Sequence, residues 1–238
     1  MSLDLFPVTV GGASLTSGSV PAGFTPAAPA PLHLDAHCLV LDKPAGLLSV
    51  PGRGPDKQDC LCVRAQAQWP DALVVHRLDM ATSGLLLLAR GAAMQRALSR
   101  AFEARRVRKR YVAVVAGRMP PPDTEDGWGE IDLPLGADWE MRPRQRVDAL
   151  HGRPSVTRWR ILERSARSTR VELEPVTGRT HQLRVHLLAL GHPILGDTLY
   201  APAGAPSAPP RLLLHASGLA LDHPAGGAPL HLRSPPPF

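Results

Sequence analysis

Proline and glycine interrupt this chain too often for any long helix to form: 26 prolines and 21 glycines are spread through 238 residues. Proline breaks helix interiors and glycine weakens them, so rods and coiled coils are excluded. What remains is globular composition, 44% hydrophobic and 20% charged, in a chain long enough to bury a sizeable core. Between the breakers, short strand-like segments fall at 38–44, 47–50, 73–75, 85–88, 110–116, 130–133, 155–162, 169–173, 212–215 and 219–221. Helical spacing is confined to 59–69, 92–104 and 180–190, the last with Thr180 as N-cap and Gly191 as its stop. Strands outnumber helices and do not alternate with them regularly. An α+β fold follows, a mixed sheet with a few packed helices rather than a doubly wound one.

Residues 1–31 are rich in Pro, Ala, Gly, Ser and Thr without a period, and they form an N-terminal extension with no core of its own. The ordered domain is expected over 32–238. Asp4 stands where a secretory signal would be basic, and the longest aliphatic run, 85–89, is far short of the roughly 20 residues of a membrane helix. Three cysteines, Cys38, Cys60 and Cys62, are too few for a disulfide framework or a four-cysteine metal centre. Cys60 and Cys62 are expected as small apolar side chains on the inner face of the 59–69 helix, beside Val63 and Ala67. A cytoplasmic protein is the expectation.

Lysine and arginine total 27 against 21 Asp and Glu, a net charge of +6, and only Lys43, Lys57 and Lys109 are lysines. The positive groups are concentrated in two places. Residues 96–110 hold Arg96, Arg100, Arg105, Arg106, Arg108, Lys109 and Arg110 against Glu103 alone, and 142–146 hold Arg142, Arg144 and Arg146. Concentrated positive charge of this kind suits a polyanion such as a phosphate backbone.

Two polar segments can carry chemistry. In the loop 76–84, between aliphatic runs, Asp79 lies near His76 and Arg77, with Thr82 and Ser83 as hydrogen-bond donors and Gly84 free to take an unusual backbone angle. In the second, 175–186, His181, Arg184 and Leu188 share one helix face while Leu183, Leu187 and Leu190 share the apolar one. Arg184 at the core boundary needs a carboxylate, because an unpaired buried ion costs several kcal/mol. Asp79 is the best candidate, and such pairing would keep its carboxylate charged for a nucleophilic or base role. His181 and His186 are five apart and share no helix face, and no recognised zinc spacing accompanies them; no metal is expected. His76 is expected to orient the loop rather than act as a base.

The run His76-Arg77-Leu78-Asp79 with Thr82-Ser83-Gly84-Leu85, then Lys109-Arg110-Tyr111, then residues 178–186 (Gly-Arg-Thr-His-Gln-Leu-Arg-Val-His), resembles the RluA family of pseudouridine synthases in motif and order. The resemblance extends through 43–52, 191–197 and 212–216, so it covers nearly everything from Leu32 onward. It implies a mostly antiparallel sheet with a central catalytic cleft, and isomerisation of uridine by breaking the N1–C1′ bond and joining C5 to C1′, with no cofactor or metal. By the same resemblance Asp79 is the catalytic carboxylate, with attack on C1′, attack on C6 or removal of a ribose proton left open. Tyr111 is the ring that stacks on uracil and assists at C5, Arg184 the partner of Asp79, and Leu183 the apolar pocket wall. Arg77 enters the space left by a flipped nucleotide, while His76, Thr82, Arg108, Lys109, Arg142 and Arg144 contact the substrate. Met80-Ala81 departs from the family's more frequent Arg-Asp. With the sequence around Asp132, Trp139 and Arg142, that departure implies a double target, a ribosomal RNA and a tRNA stem-loop. The S4 RNA-binding module frequent in the family is not expected, and a monomer is.

Two rival classes fit less well. A noncatalytic RNA-binding protein would gain affinity by losing Asp79 from a basic groove. A hydrolase acting on nucleosides would want a second carboxylate to activate water, and none accompanies the motifs.

Overall fold

The computed structural model describes residues 30–201 and 209–238. Most of the expected extension, residues 1–29, lies outside the described residues. The first strand, β1 (Pro31–Leu34), begins one residue before the expected domain boundary. It is followed by β2 (Cys38–Lys43), α1 (Leu61–Gln66), β3 (Ala72–Val74), β4 (Ser83–Arg90), α2 (Gly91–Glu103), β5 (Arg108–Ala116) and β6 (Gly129–Asp132). Then come β7 (Leu135–Ala137), β8 (Gln145–Val147), β9 (Val156–Arg164), β10 (Ser168–Pro175), α3 (Gln182–Ala189), β11 (Leu214–Asp222) and β12 (Pro229–Arg233). Ten strands form one sheet along the path β1-β2-β4-β11-β5-β10-β9-β6, with β3 added to β4 and β12 to β11. β7 and β8 make a separate hairpin.

Burial explains the sequence of β4. Its aliphatic run does not alternate because both faces are covered. Leu85, Leu87 and Ala89 pack with Cys38, Val40 and Leu98 of α2, while Leu86 and Leu88 pack with Leu61 and Ala65 of α1. β10 alternates cleanly instead: Val171 and Leu173 enter the core under α3 with Leu183 and Leu187, and Glu172 and Glu174 face the other way.

Strand pairing within the sheet is antiparallel except between β4 and β11, where His215 lies against Ser83 and Ala216 against Gly84. Gly84 has φ of +109°, and a Cβ there would lie 2.4 Å from the Ala216 carbonyl oxygen. Only glycine allows the two backbones to meet this closely. This parallel contact is the seam between the β1–β4 side of the sheet and the β5–β10 side, and the loop holding Asp79 ends at it.

Several local expectations are corrected. Residues 47–50 form no strand beyond a single bridge from Leu48 to Cys60. α1 is shorter than 59–69, and Cys60 is its N-cap, the thiol accepting from Val63 N–H at 3.5 Å. Leu61, Cys62 and Ala65 are its buried residues, while Val63 is exposed. The apolar residues were too few to fix the phase of so short a helix. Of the expected strands 212–215 and 219–221, residues 214–215 and 219–221 belong to one strand, β11, with a bulge between Ala216 and Gly218, while Leu212 and Leu213 precede it. Among the described residues, no helix is long and apolar enough to cross a membrane.

Candidate active site

The loop 75–82 joins β3 to β4 and ends at the seam, and most of its fixed points are backbone groups. Ser49 Oγ donates to the Leu78 carbonyl at 2.7 Å and accepts from the Leu78 amide at 3.1 Å. The Met80 carbonyl accepts from the Gly46 amide at 2.8 Å and from Lys43 Nζ at 3.1 Å. Lys43 is fully buried and also donates to the carbonyls of Pro44 and Leu47. Burial pulls its pKa down to about 8, against the upward pull of the nearby Asp79 charge. Asp79 is thus held between two pinned neighbours, and the Thr82 amide closes the turn on its carbonyl at 3.1 Å. Thr82 itself is buried. His76 fastens the start of the loop: its Nε2 accepts from the Leu87 amide at 3.0 Å, and its ring stacks on Phe102. Burial, with Lys109 nearby, drives the His76 pKa down to about 3, so its ring is neutral and serves as an acceptor.

α3 brings the opposing charge. It starts one residue later than expected, after His181, which takes a left-handed φ of 54°; Thr180 is not its N-cap. The helix is not simply amphipathic, since residues 182–187 are all buried. Its polar side chains are satisfied individually, as burial requires. Gln182 Oε1 accepts from Thr177 and from the Arg179 amide, while its Nε2 donates to the Val156 carbonyl and to Thr157. His186 bridges Thr157 and the Leu133 carbonyl.

Arg184 is the main correction to the sequence reading. Its principal partner is Asp197, which receives two parallel 2.7 Å bonds from Nε and Nη2. Asp79 is the second partner, with Oδ2 at 3.5 Å from Nη1. Burial pulls the Arg184 pKa down, but bonding to Asp197 and the charge of Asp79 more than offset this, and the net shift is upward. Asp197 is itself fixed by the amides of Leu199 and Tyr200. The guanidinium lies 5.0 Å over the Tyr200 ring, and His181 completes the cluster, with Nε2 3.9 Å from Asp79 Oδ2 and Nδ1 2.7 Å from the Tyr200 hydroxyl. Asp79 keeps 24% of its side chain exposed, against 4% for Arg184. The Asp79 carboxylate is therefore partly accessible beside a fixed cation.

Tyr111 lies on β5, paired in register with Leu173 and Ala216. It packs against the cluster containing Leu183 and against the one containing Leu78. Burial, and then the Asp79 charge, push its pKa upward, so the neutral phenol is favoured. Strand alternation puts Lys109 on the same face as Tyr111. Arg108 and Arg110 point to the other face, where both meet Glu174. The expected basic patch at 105–110 is thereby split, and Arg108 is turned away from the Asp79 side of the sheet. Arg77 is exposed beside Asp79. Arg142 stacks 3.9 Å over the exposed Trp139, and the β7–β8 hairpin that carries both, with Arg144, is tied in by the Gln145 amide donating to the Tyr200 hydroxyl at 2.8 Å.

Sequence reasoning missed Asp197, Tyr200, His181, Ser49 and Lys43 as parts of this assembly. The signal for Asp197 was present, a second acid in the resembling segment 191–197, but nothing local linked it to Arg184.

The family model described as RNA pseudouridylate synthase matches residues 37–189. A curated relative, the dual-specificity RNA pseudouridine synthase RluA of Escherichia coli strain K12, is 48% identical over 208 residues, covering 87% of this chain and 93% of its own. Its namesake from Yersinia pestis is 47% identical over 203 residues, covering 85% and 96%. Among solved structures, human RNA pseudouridylate synthase domain containing 1 superposes with a TM-score of 0.72 at 30% identity, covering 88% of this chain and 84% of that one. The chain belongs to the RNA pseudouridylate synthase family, and within it to the RluA group. It is an enzyme that isomerises uridine to pseudouridine in RNA.

Proposed function

We propose that Asp79 is the reacting carboxylate and that Arg184, held by Asp197, sets its position and charge. The observation that supports this is the pair itself: a partly exposed Asp79 carboxylate whose Oδ2 lies 3.5 Å from a guanidinium that a second carboxylate already neutralises. Asp197 takes most of the charge of Arg184, which leaves the Asp79 carboxylate to face a substrate. A negative oxygen there serves as a nucleophile or a base, and it stabilises positive character at C1′ as the N1–C1′ bond breaks. The uracil turns and rejoins through C5, the C5 proton leaves to solvent and N1 takes one up, so the composition of the nucleotide is unchanged and no oxidant or reductant is needed. Tyr111 stacks on the base in its neutral form and Leu183 walls the pocket.

A uridine inside a stem-loop must leave its stack, at a cost of a few kcal/mol. Exposed Arg77, two residues from Asp79, is placed to fill the gap, since a flat guanidinium stacks on bases as well as binding phosphate. Lys109, Arg142 and Arg144 track the backbone, with Trp139 as a stacking surface under Arg142. His76 and Thr82 act through the loop. Likeness to dual-specificity relatives supports two RNA targets, read here as a ribosomal RNA and a tRNA stem-loop. A monomer acting in the cytoplasm completes the proposal. Residues 32–238 make up the catalytic domain in this reading.

Release of tritium from C5-labelled uridine in candidate RNAs, with mapping of the modified position, tests the assignment. Asp79→Asn is expected to abolish release while RNA binding stays within about threefold; surviving turnover would remove Asp79 from the reaction.

A further inference from the structure

Far from Asp79, two separate pieces of chain bring four metal-ligand side chains together. His33 lies on β1, Asp35 in the β1–β2 turn, Cys38 at the start of β2, and His223 just after β11. Each offers one ligand atom, and the four atoms lie within 4.8 Å of one another. Cys38 pairs with Ala89 at the end of β2 opposite Lys43, which pairs with Gly84. Five strand residues at about 3.3 Å each separate the cluster from the seam by roughly 17 Å. We propose that His33, Asp35, Cys38 and His223 form a structural binding site for a divalent, thiol-accepting cation of the zinc class.

The carboxylate is already aimed. Asp35 Oδ1 accepts from the amides of His37 and Cys38, at 2.7 and 2.9 Å, and this turns Oδ2 toward the other three side chains. Oδ2 lies 2.7 Å from His33 Nε2, 2.9 Å from His223 Nε2 and 3.9 Å from Cys38 Sγ. Tetrahedral zinc, with bonds of about 2.0–2.3 Å, needs ligand atoms about 3.3–3.8 Å apart. The three spacings from Oδ2 bracket that range and all four atoms lie within 4.8 Å of one another, so side-chain shifts of up to about 1 Å complete the site. Two imidazoles, a thiolate and a carboxylate around a dication sum to zero charge, which suits a half-buried place.

A thiol ligates such a cation as the thiolate, so Cys38 gives up its proton to solvent when the cation takes its place. Ligation through His223 Nε2 moves that ring's proton to Nδ1 and gives up the long 3.3 Å bond from the Ala225 amide. The gain is a cross-link between residues 188 apart, clamping the edge hairpin β1–β2 to the turn that leaves β11. No sequence spacing announces it, because His223 comes from the far end of the chain.

Cobalt(II) chloride is the probe, added to the chelator-treated full chain in a metal-free phosphine reductant. One equivalent is expected to bind, giving the intense visible bands of tetrahedral cobalt and a sulfur-to-cobalt charge-transfer band in the near ultraviolet. Zinc should displace it and raise the melting temperature. Cys38→Ser should lose the charge-transfer band, and His223→Gln should weaken binding at least tenfold, with tritium release unchanged in both. The wild-type spectrum alone decides if a variant misfolds: cobalt that gives only weak octahedral bands and no charge transfer overturns the proposal. Uptake that persists unchanged in a folded His33→Gln/His223→Gln double variant overturns it equally.

Discussion

The loop that carries Asp79 is fixed mainly through its backbone, whereas the helix that carries Arg184 is fixed through its side chains. Leu78 and Met80 are pinned by Ser49, Gly46 and Lys43, and the Asp79 carboxylate between them is left partly open. On α3, Gln182, Arg184 and His186 each use their own polar atoms, and all three are buried. The difference suits two tasks. A group that must meet a substrate cannot have its acceptors filled by protein, so its position has to be set by its neighbours. A group that only supplies a fixed charge can be saturated and sealed in.

Three experiments break or sharpen this contrast. The largest effect is expected from Asp197→Ala, which leaves the Arg184 charge buried with Asp79 as its remaining close partner. Loss of one member of a buried pair costs about 3–5 kcal/mol. Urea unfolding should register that loss, with turnover falling to background as Arg184 shifts; an unchanged midpoint would contradict the side-chain mode of fixing. Ser49→Ala comes next, since it strands the buried amide and carbonyl of Leu78 at about 1–3 kcal/mol. Here kcat should fall by one to two orders of magnitude, on the order of that energy, with RNA affinity unchanged, because the loop loosens without any loss of charge.

The smallest effect concerns acid. A His76 pKa lowered from 6.5 to about 3 means that between those values only the unfolded chain takes the proton. Stability is therefore fully present above pH 6.5 and declines as pH falls through that window. His76→Gln keeps an acceptor for the Leu87 amide but removes the titrating group. The drop in unfolding free energy between pH 6.5 and 5.5, read from urea titrations, should shrink in this variant by on the order of 1 kcal/mol. An identical drop would mean that His76 is not the neutral fastener of the loop.

Much of the architecture was legible. The aliphatic run of β4, the helical spacing of α2 and the alternation of β9 are patterns among residues close in sequence, and such patterns report directly on burial. Gly84 stood out as a residue needing backbone freedom, though not why. The errors share one origin. Arg184 demanded a carboxylate, and the sequence points to Asp79 in the other reactive segment because it carries no measure of which acid lies closer. Arg108, Lys109 and Arg110 read as one basic patch because linear charge density ignores strand alternation. Cys38 and His223 offered no metal signal because 185 positions separate them in the chain.

The amino-acid sequence alone determined the breaker-rich α+β framework, the two reactive segments and their family resemblance, because each of these is written in contacts only a few residues long. The folded molecule alone decided which acid saturates Arg184, which side of β5 each cation faces, and which ligands gather around Asp35. Those outcomes depend on distances between remote segments, and such distances exist only once the sheet has closed the seam at Gly84 and Ala216.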